Sequence, residues 1–190
     1  MVIGITGRYC AGKDTAVEIL SRRGFREIDV DRIGHQVLAE MREAVVAEFG
    51  PAVLTPDGEV DRRRLGAIVF KSREKMGRLE AILHPAMVRR VEQRIGSGED
   101  PVAINAAVLF RMGLHRLCDR VLCIRAPFAL RLLRALRRDR LPPGDAWRRL
   151  TAQRGICPKF PSGDVDIYRV GNHCGRKALE RRLEKVLRQG

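Results

Sequence analysis

From residue 2 the chain reads Val-Ile-Gly-Ile-Thr, a short β-branched run that predicts a strand. A glycine-bearing stretch, Gly7 to Thr15, then leads into a segment with apolar residues at Ala16, Ile19 and Leu20, the spacing of a helix. Gly24 breaks that helix, Arg-Glu-Ile-Asp-Val at 26–30 predicts a second strand, and Asp31 leads a second helix. From about residue 41 to 98 the pattern is helical, interrupted by turns. The Pro56-Asp57-Gly58 turn precedes Asp61, which is expected to cap a helix carrying Leu65, Ile68 and Val69. A further helix is expected to end at Ile82-Leu83-His84-Pro85, since proline drives the residue before it out of helical geometry and is itself a good first helical residue.

Residues 102–110, Val-Ala-Ile-Asn-Ala-Ala-Val-Leu-Phe, are almost continuously apolar, as in a strand covered on both faces. Asn105 is the polar interruption and Arg111 follows the carboxyl end. Residues 119–124 predict a fourth strand, residues 166–170 a fifth, and residues 176–189 a closing helix with Leu179, Leu183, Val186 and Leu187 inward. Between them, the stretch from Phe128 predicts a helix with Ala129, Leu132, Leu133 and Leu136 on one face and Arg131, Arg134 and Arg138 roughly opposite. Strands alternating with helices imply βαβ units, hence an α/β fold with a parallel sheet of about five strands flanked by helices.

The chemistry begins at Gly7-Arg-Tyr-Cys-Ala-Gly-Lys-Asp-Thr15. In the pattern G-x-x-x-x-G-K-[ST], glycines let successive backbone N–H groups face phosphate oxygens, the lysine neutralises charge and the hydroxyl reaches Mg²⁺. Gly7, Gly12 and Lys13 satisfy it; Asp14 occupies the hydroxyl position. A strand feeding such a loop into a helix points the positive end of the helix at bound phosphate. The fold class is therefore P-loop NTPase-type, with Cys10, Ala11, Gly12, Lys13, Asp14 and Thr15 expected to bind the phosphates of ATP. Asp14 can ligate Mg²⁺ directly or through water, or it can mark a loop that has lost binding. Asp29 and Asp31 end the second strand, where alternation would put both carboxylates on one face. Asp31 suits both a helix cap and a general base at the carboxyl edge of a sheet, where ligands of α/β folds bind. From Arg131 to Arg154 eight arginines stand against Asp139 and Asp145, and such a segment fits a lid over a triphosphate as well as an exposed basic helix.

The formal net charge of +14 over 190 residues calls for anionic partners. Arginine suits phosphate-rich small molecules as well as nucleic acid. Aromatics are only 5%, with one tryptophan, so the stacking surface of a single-strand binder is missing and nucleic acid is not the expected partner. No apolar run approaches the ~20 residues that span a membrane, and the first residues lead straight into a strand, so a cytoplasmic location is expected. Five cysteines, an odd number with no C-x-x-C pair, argue against a disulfide framework and a zinc site; Cys118 and Cys123 read as small core residues.

With these motifs in place, the chain resembles the dephospho-CoA kinase family, a group of P-loop kinases, over nearly its whole length. The loop with Glu27-Ile-Asp-Val-Asp31, the run Phe49 to Phe70 and Leu79-Glu-Ala-Ile-Leu-His84-Pro85 occur in the family's order. Arg134, Arg138 and Asp139 resemble its lid motif, and Arg149 with Gln153 its R-x-x-x-Q. The chain departs from the family pattern at Asp14, where a serine is usual, and at Asn105, Ala107 and Arg111. The resemblance implies transfer of the γ-phosphoryl of ATP to the ribose 3′-hydroxyl of dephospho-CoA, with Mg²⁺ as cofactor. Lys13, Asp31 and Arg138 would be catalytic, Arg134 and Arg149 would join Arg138 in the lid, and His84 would face the CoA side. It also implies a single domain, with a core at about 1–32, 100–130 and 160–190, a helical insert at about 33–99 and a lid at about 131–159. Some phage-type nucleoside monophosphate kinases share Gly-Lys-Asp-Thr, which makes that activity an alternative. A basic ATP-binding module without transfer activity is another.

Overall fold

Five parallel strands are laid down in the order β2-β3-β1-β4-β5 in the computed structural model. It describes residues 1–96, 100–139, 142–152, 156–157 and 165–188. These are β1 (Val2–Gly7), β2 (Arg26–Asp29), β3 (Val102–Asn105), β4 (Arg120–Arg125) and β5 (Asp166–Gly171). The chain divides into two compact units, residues 1–29 with 98–190, and residues 30–97.

In the first unit, β1 lies at the centre of the sheet, pairing with β3 and β4. Its Ile3 and Ile5 are fully covered by α1 (Lys13–Ser21) and α8 (Arg176–Arg188) through Ile19, Leu20, Leu179 and Leu183. Val186 and Leu187 pack partly buried against the same cluster, as the helical period predicts. β3 is shorter than its apolar run suggests. It ends at Asn105, after which the Ala106 amide donates to the Ile5 carbonyl (3.1 Å) and the Thr6 hydroxyl donates to the Ala107 carbonyl (3.2 Å). Apolar residues of 106–114 thus fill the space beyond the strand instead of extending it; Leu109 and Leu114 are fully buried there.

Two helices follow β4: α6 (Phe128–Asp139) and α7 (Pro143–Ala152). They share a cluster of Ala135, Ala146 and Leu150 with Cys10, against which Tyr9, Leu132 and Leu136 pack. The face of α6 differs from the expected one: Arg131 is 3% exposed while Leu133 is 43% exposed. The helix turns its Arg131 side toward the loop, where the guanidinium contacts a backbone carbonyl, and Leu133 rotates outward.

A disulfide joins Cys123 to Cys157, their Cα atoms 6.2 Å apart, which corrects the expectation that the cysteines form no disulfide; Cys123 itself is fully buried, as a core residue should be. The pair is 34 residues apart, so only the tertiary path brings the two together. Cys118 is a buried free thiol, as expected, and burial pushes its pKa up to about 12.

The second unit is helical: α2 (Val30–Glu40), α3 (Arg42–Phe49), α4 (Arg62–Val69) and α5 (Arg73–Ile95). Leu38, Val45, Val53, Leu65 and Val69 form its buried cluster. Asp61 caps α4, accepting from the Arg63 and Arg64 amides at 2.9 and 3.1 Å, and those N–H groups hold its carboxyl below the usual range. Pro85 does not end a helix: α5 runs through it, with His84 half-buried in mid-helix. A proline removes one helical hydrogen bond, and packing by Leu79, Ile82, Leu83, Met87 and Val91 on both sides of it outweighs that loss. No described helix is long and apolar enough to cross a membrane.

Candidate active site at the phosphate loop

β1 delivers the chain to Gly7 at the carboxyl edge of the sheet, and α1 starts six residues later at Lys13. A side chain at residue 7 would put its Cβ 2.7 Å from the Ile124 carbonyl oxygen, so glycine is needed where the loop leaves β1. Gly12 has φ 96°, in the left-handed region open to glycine, and offers no side-chain cap to α1. The first amides of α1 therefore point outward without a side-chain partner, the arrangement that favours an anion. Cys10 also has a positive φ, 58°, and its side chain is buried against Ala135, Ala146 and Leu150. Burial pushes its thiol pKa up, against the opposing pull of Arg138, Arg134 and Arg131.

The loop is held from outside. Asn172, 4% exposed just beyond β5, donates from Nδ2 to the Ala11 carbonyl at 2.9 Å. Arg134 donates from Nη1 to the Cys10 and Ala11 carbonyls, both at 3.3 Å, and from Nη2 to the Asn172 carbonyl at 3.1 Å. In this structure Arg134, expected in the lid, reaches the backbone of the phosphate loop and braces it. Asn172 was missed as a functional residue; the signal available was an amide side chain directly after the carboxyl end of a strand.

Lys13 donates to Asn105 Oδ1, and Asn105 Nδ2 donates to Glu27 Oε1 at 2.7 Å, so a relay fixes the lysine at the sheet edge. Asp14 lies 3.7 Å from Lys13 and 3.5 Å from Arg138. Arg138 also pairs with Asp139 at 2.8 Å and lies over the Tyr9 ring, 5.4 Å from its centroid. A cavity of about 490 Å³ opens beside this group, lined by Asp14, Glu27, Asp29 and Asn105 together with Val17, Glu18, Ser21 and Arg22. Thr15 is half-buried in the first turn of α1. Arg149 is exposed on α7, and Gln153 lies outside the described residues.

Asp31 and His84 belong to the helical unit. β2 stops at Asp29 and Val30 already begins α2, so Asp31 is an exposed residue of the first helical turn. It is neither the cap nor a strand-face partner of Asp29, because strand alternation ends with the strand.

Comparison with known proteins bears on the family and the fold. A family model described as dephospho-CoA kinase matches residues 1–167. Dephospho-CoA kinase of Bacillus licheniformis is 32% identical over 98% of this chain and 95% of its own length. That of Moorella thermoacetica is 35% identical over 96% and 93%. A solved structure of a Thermus thermophilus protein superimposes with a TM-score of 0.83 at 28% identity, covering 100% of this chain and 97% of its own. Dephospho-CoA kinase from Campylobacter jejuni shares the fold, with a TM-score of 0.62 at 24% identity over 99% and 96%.

Proposed function

The chain belongs to the dephospho-CoA kinase family, and we propose that Lys13, Arg138 and Asp31 carry out its reaction, the ATP-dependent phosphorylation of dephospho-CoA to coenzyme A. The observation that carries the assignment is the uncapped start of α1 at Lys13, with Asp14, Arg138 and an open cavity beside it. Phosphoryl transfer is mainly positioning and electrostatics. The amides of residues 10–15 and Lys13 hold the phosphates; Arg138 balances charge as it develops; Asp31, just past the carboxyl end of β2, accepts the proton of the attacking ribose hydroxyl. His84 and the helical unit serve the CoA side. Nucleoside monophosphate kinase activity is not favoured by the family match.

Among the described residues no three His, Cys, Asp or Glu side chains are grouped to hold a metal unaided. Mg²⁺ is commonly held by one or two carboxylates plus substrate phosphates. In this reading Asp14 would be the carboxylate that holds it, and the ion when bound would neutralise phosphate charge. Arg138 and Lys13 on either side keep Asp14 oriented without burying it.

The test is ADP release from ATP and magnesium with dephospho-CoA as acceptor, beside nucleoside monophosphates and an Asp14→Ser variant. Turnover specific to dephospho-CoA is expected, with a changed magnesium requirement in the variant. Asp31→Asn should abolish transfer and leave ATP affinity within about twofold; surviving turnover would remove Asp31 as the base.

A further inference from the structure

Behind the phosphate loop lies a second cavity of about 370 Å³, lined by Arg8, Ala11, Ile124, Arg125, Ala126, Arg131, Cys157 and Arg169. Four of the eight are arginines, and none of these described lining residues is acidic. The guanidinium groups of Arg8 and Arg125 make no ion pair or hydrogen bond among the described residues. Arg131, 3% exposed, has a buried Nε without a hydrogen-bond partner, although its Nη1 reaches the Tyr9 carbonyl at 3.5 Å. Burial first, and Arg8 second, lower its pKa, against a smaller opposing pull from Cys10. The disulfide from Cys123 ties Cys157 into the wall, which the loop after β1, the end of β4, α6 and β5 complete.

A buried arginine with an N–H group that makes no hydrogen bond, beside the exposed Arg8 and Arg125, is poor for stability unless something anionic completes it. We propose that this cavity, which the loop residues Arg8 and Ala11 help to line, is a second anion site apart from the amides at the start of α1, and that it takes a small molecule through a phosphate or diphosphate group. Its size is within the range of small-molecule pockets, roughly 300–1,000 Å³. Arginine forks match phosphate oxygens in pairs, and the apolar lining of Ala11, Ile124 and Ala126 would take the body of the ligand. Because Arg131 also contacts the Tyr9 carbonyl, an occupant here acts on the loop that precedes Lys13.

The deciding measurement is calorimetric titration of inorganic phosphate and of pyrophosphate into the full chain, into Lys13→Ala and into Arg125→Gln. Arg125 is exposed at the end of β4, so its replacement leaves the core packed. One binding event should persist in Lys13→Ala and weaken by roughly 10- to 100-fold in Arg125→Gln, the loss of one or two charged hydrogen bonds. A parallel ATP titration of the native chain reports on the phosphate loop by itself, so failure of that reading shows separately. Loss of all anion binding in Lys13→Ala would overturn the second site. So would unchanged binding of both anions in Arg125→Gln and, as a second variant, Arg8→Gln.

Discussion

Replacing Arg134 by alanine separates a brace from a lid. Its Nη1 bridges two loop carbonyls at 3.3 Å and its Nη2 meets the Asn172 carbonyl at 3.1 Å. The two longer bonds share one nitrogen, so we count them together as one good bond and the third as another. Hydrogen bonds to a charged group contribute about 1.5–3 kcal/mol each, and the long distances put these near the lower end. The sum is about 3 kcal/mol. For a chain of this size, roughly 2–4 °C of melting temperature accompanies each kcal/mol, so Arg134→Ala should melt about 6–12 °C lower. The loop carbonyls released are those of Cys10 and Ala11, directly ahead of the phosphate-facing amides, so the KM for ATP should rise as well. The assay is thermal unfolding with and without ATP, beside steady-state kinetics. Arg134→Lys should recover part of the stability, since one ammonium reaches fewer of the three acceptors. A melting temperature within 1 °C of the parent, with only kcat reduced, would refute the brace and return Arg134 to the lid.

Two further changes probe the core. Under oxidising conditions Cys157→Ser should lose on the order of 4 kcal/mol in urea unfolding, the entropy of closing a loop of 34 residues; equal stability of the two proteins without reductant would contradict it. Cys118, with an ordinary thiol value of 9.0 raised to about 12 by burial, stabilises the fold fully below pH 9, and that contribution disappears as pH climbs toward 12. Its share at pH 10.5 is about 2 kcal/mol, so stability should fall less steeply between pH 9 and 10.5 in Cys118→Ala than in the parent; parallel slopes would rule it out.

What the sequence revealed follows the range of the interactions involved. β1, the loop and α1 were legible because strand, glycines, lysine and helix are contiguous and their rules are local. α8 was legible for the same reason, through one helical period. β3 was overextended because an apolar run reports burial, and residues 106–114 are buried without being a strand. Pro85 misled because its local penalty is outweighed by packing within the helical unit. Arg131 and the Cys123–Cys157 pair were illegible: one depends on how α6 rolls against the loop, the other on a chain path of 34 residues. At the site, Lys13 and Asp14 could be named from the motif, but the Asn105–Glu27 relay needed β2 and β3 to be neighbours.

That relay and the arginines explain how an aspartate can stand where a hydroxyl is usual. Asp14 is 66% exposed and its partner Arg138 is 54% exposed, so their pair is worth at most about 1 kcal/mol. In the proposed reaction an arriving phosphate, with more charge and more acceptors, would take Arg138 from it. The bonds of Arg134 and Asn172 go to backbone carbonyls of the loop, and losing them would release the backbone that presents the loop amides. The loop therefore contains two classes of contact, an exposed ionic pair able to change partners and a half-buried frame that must not. An aspartate in the first class leaves the second untouched, and for that reason the substitution at Asp14 is compatible with an intact phosphate loop.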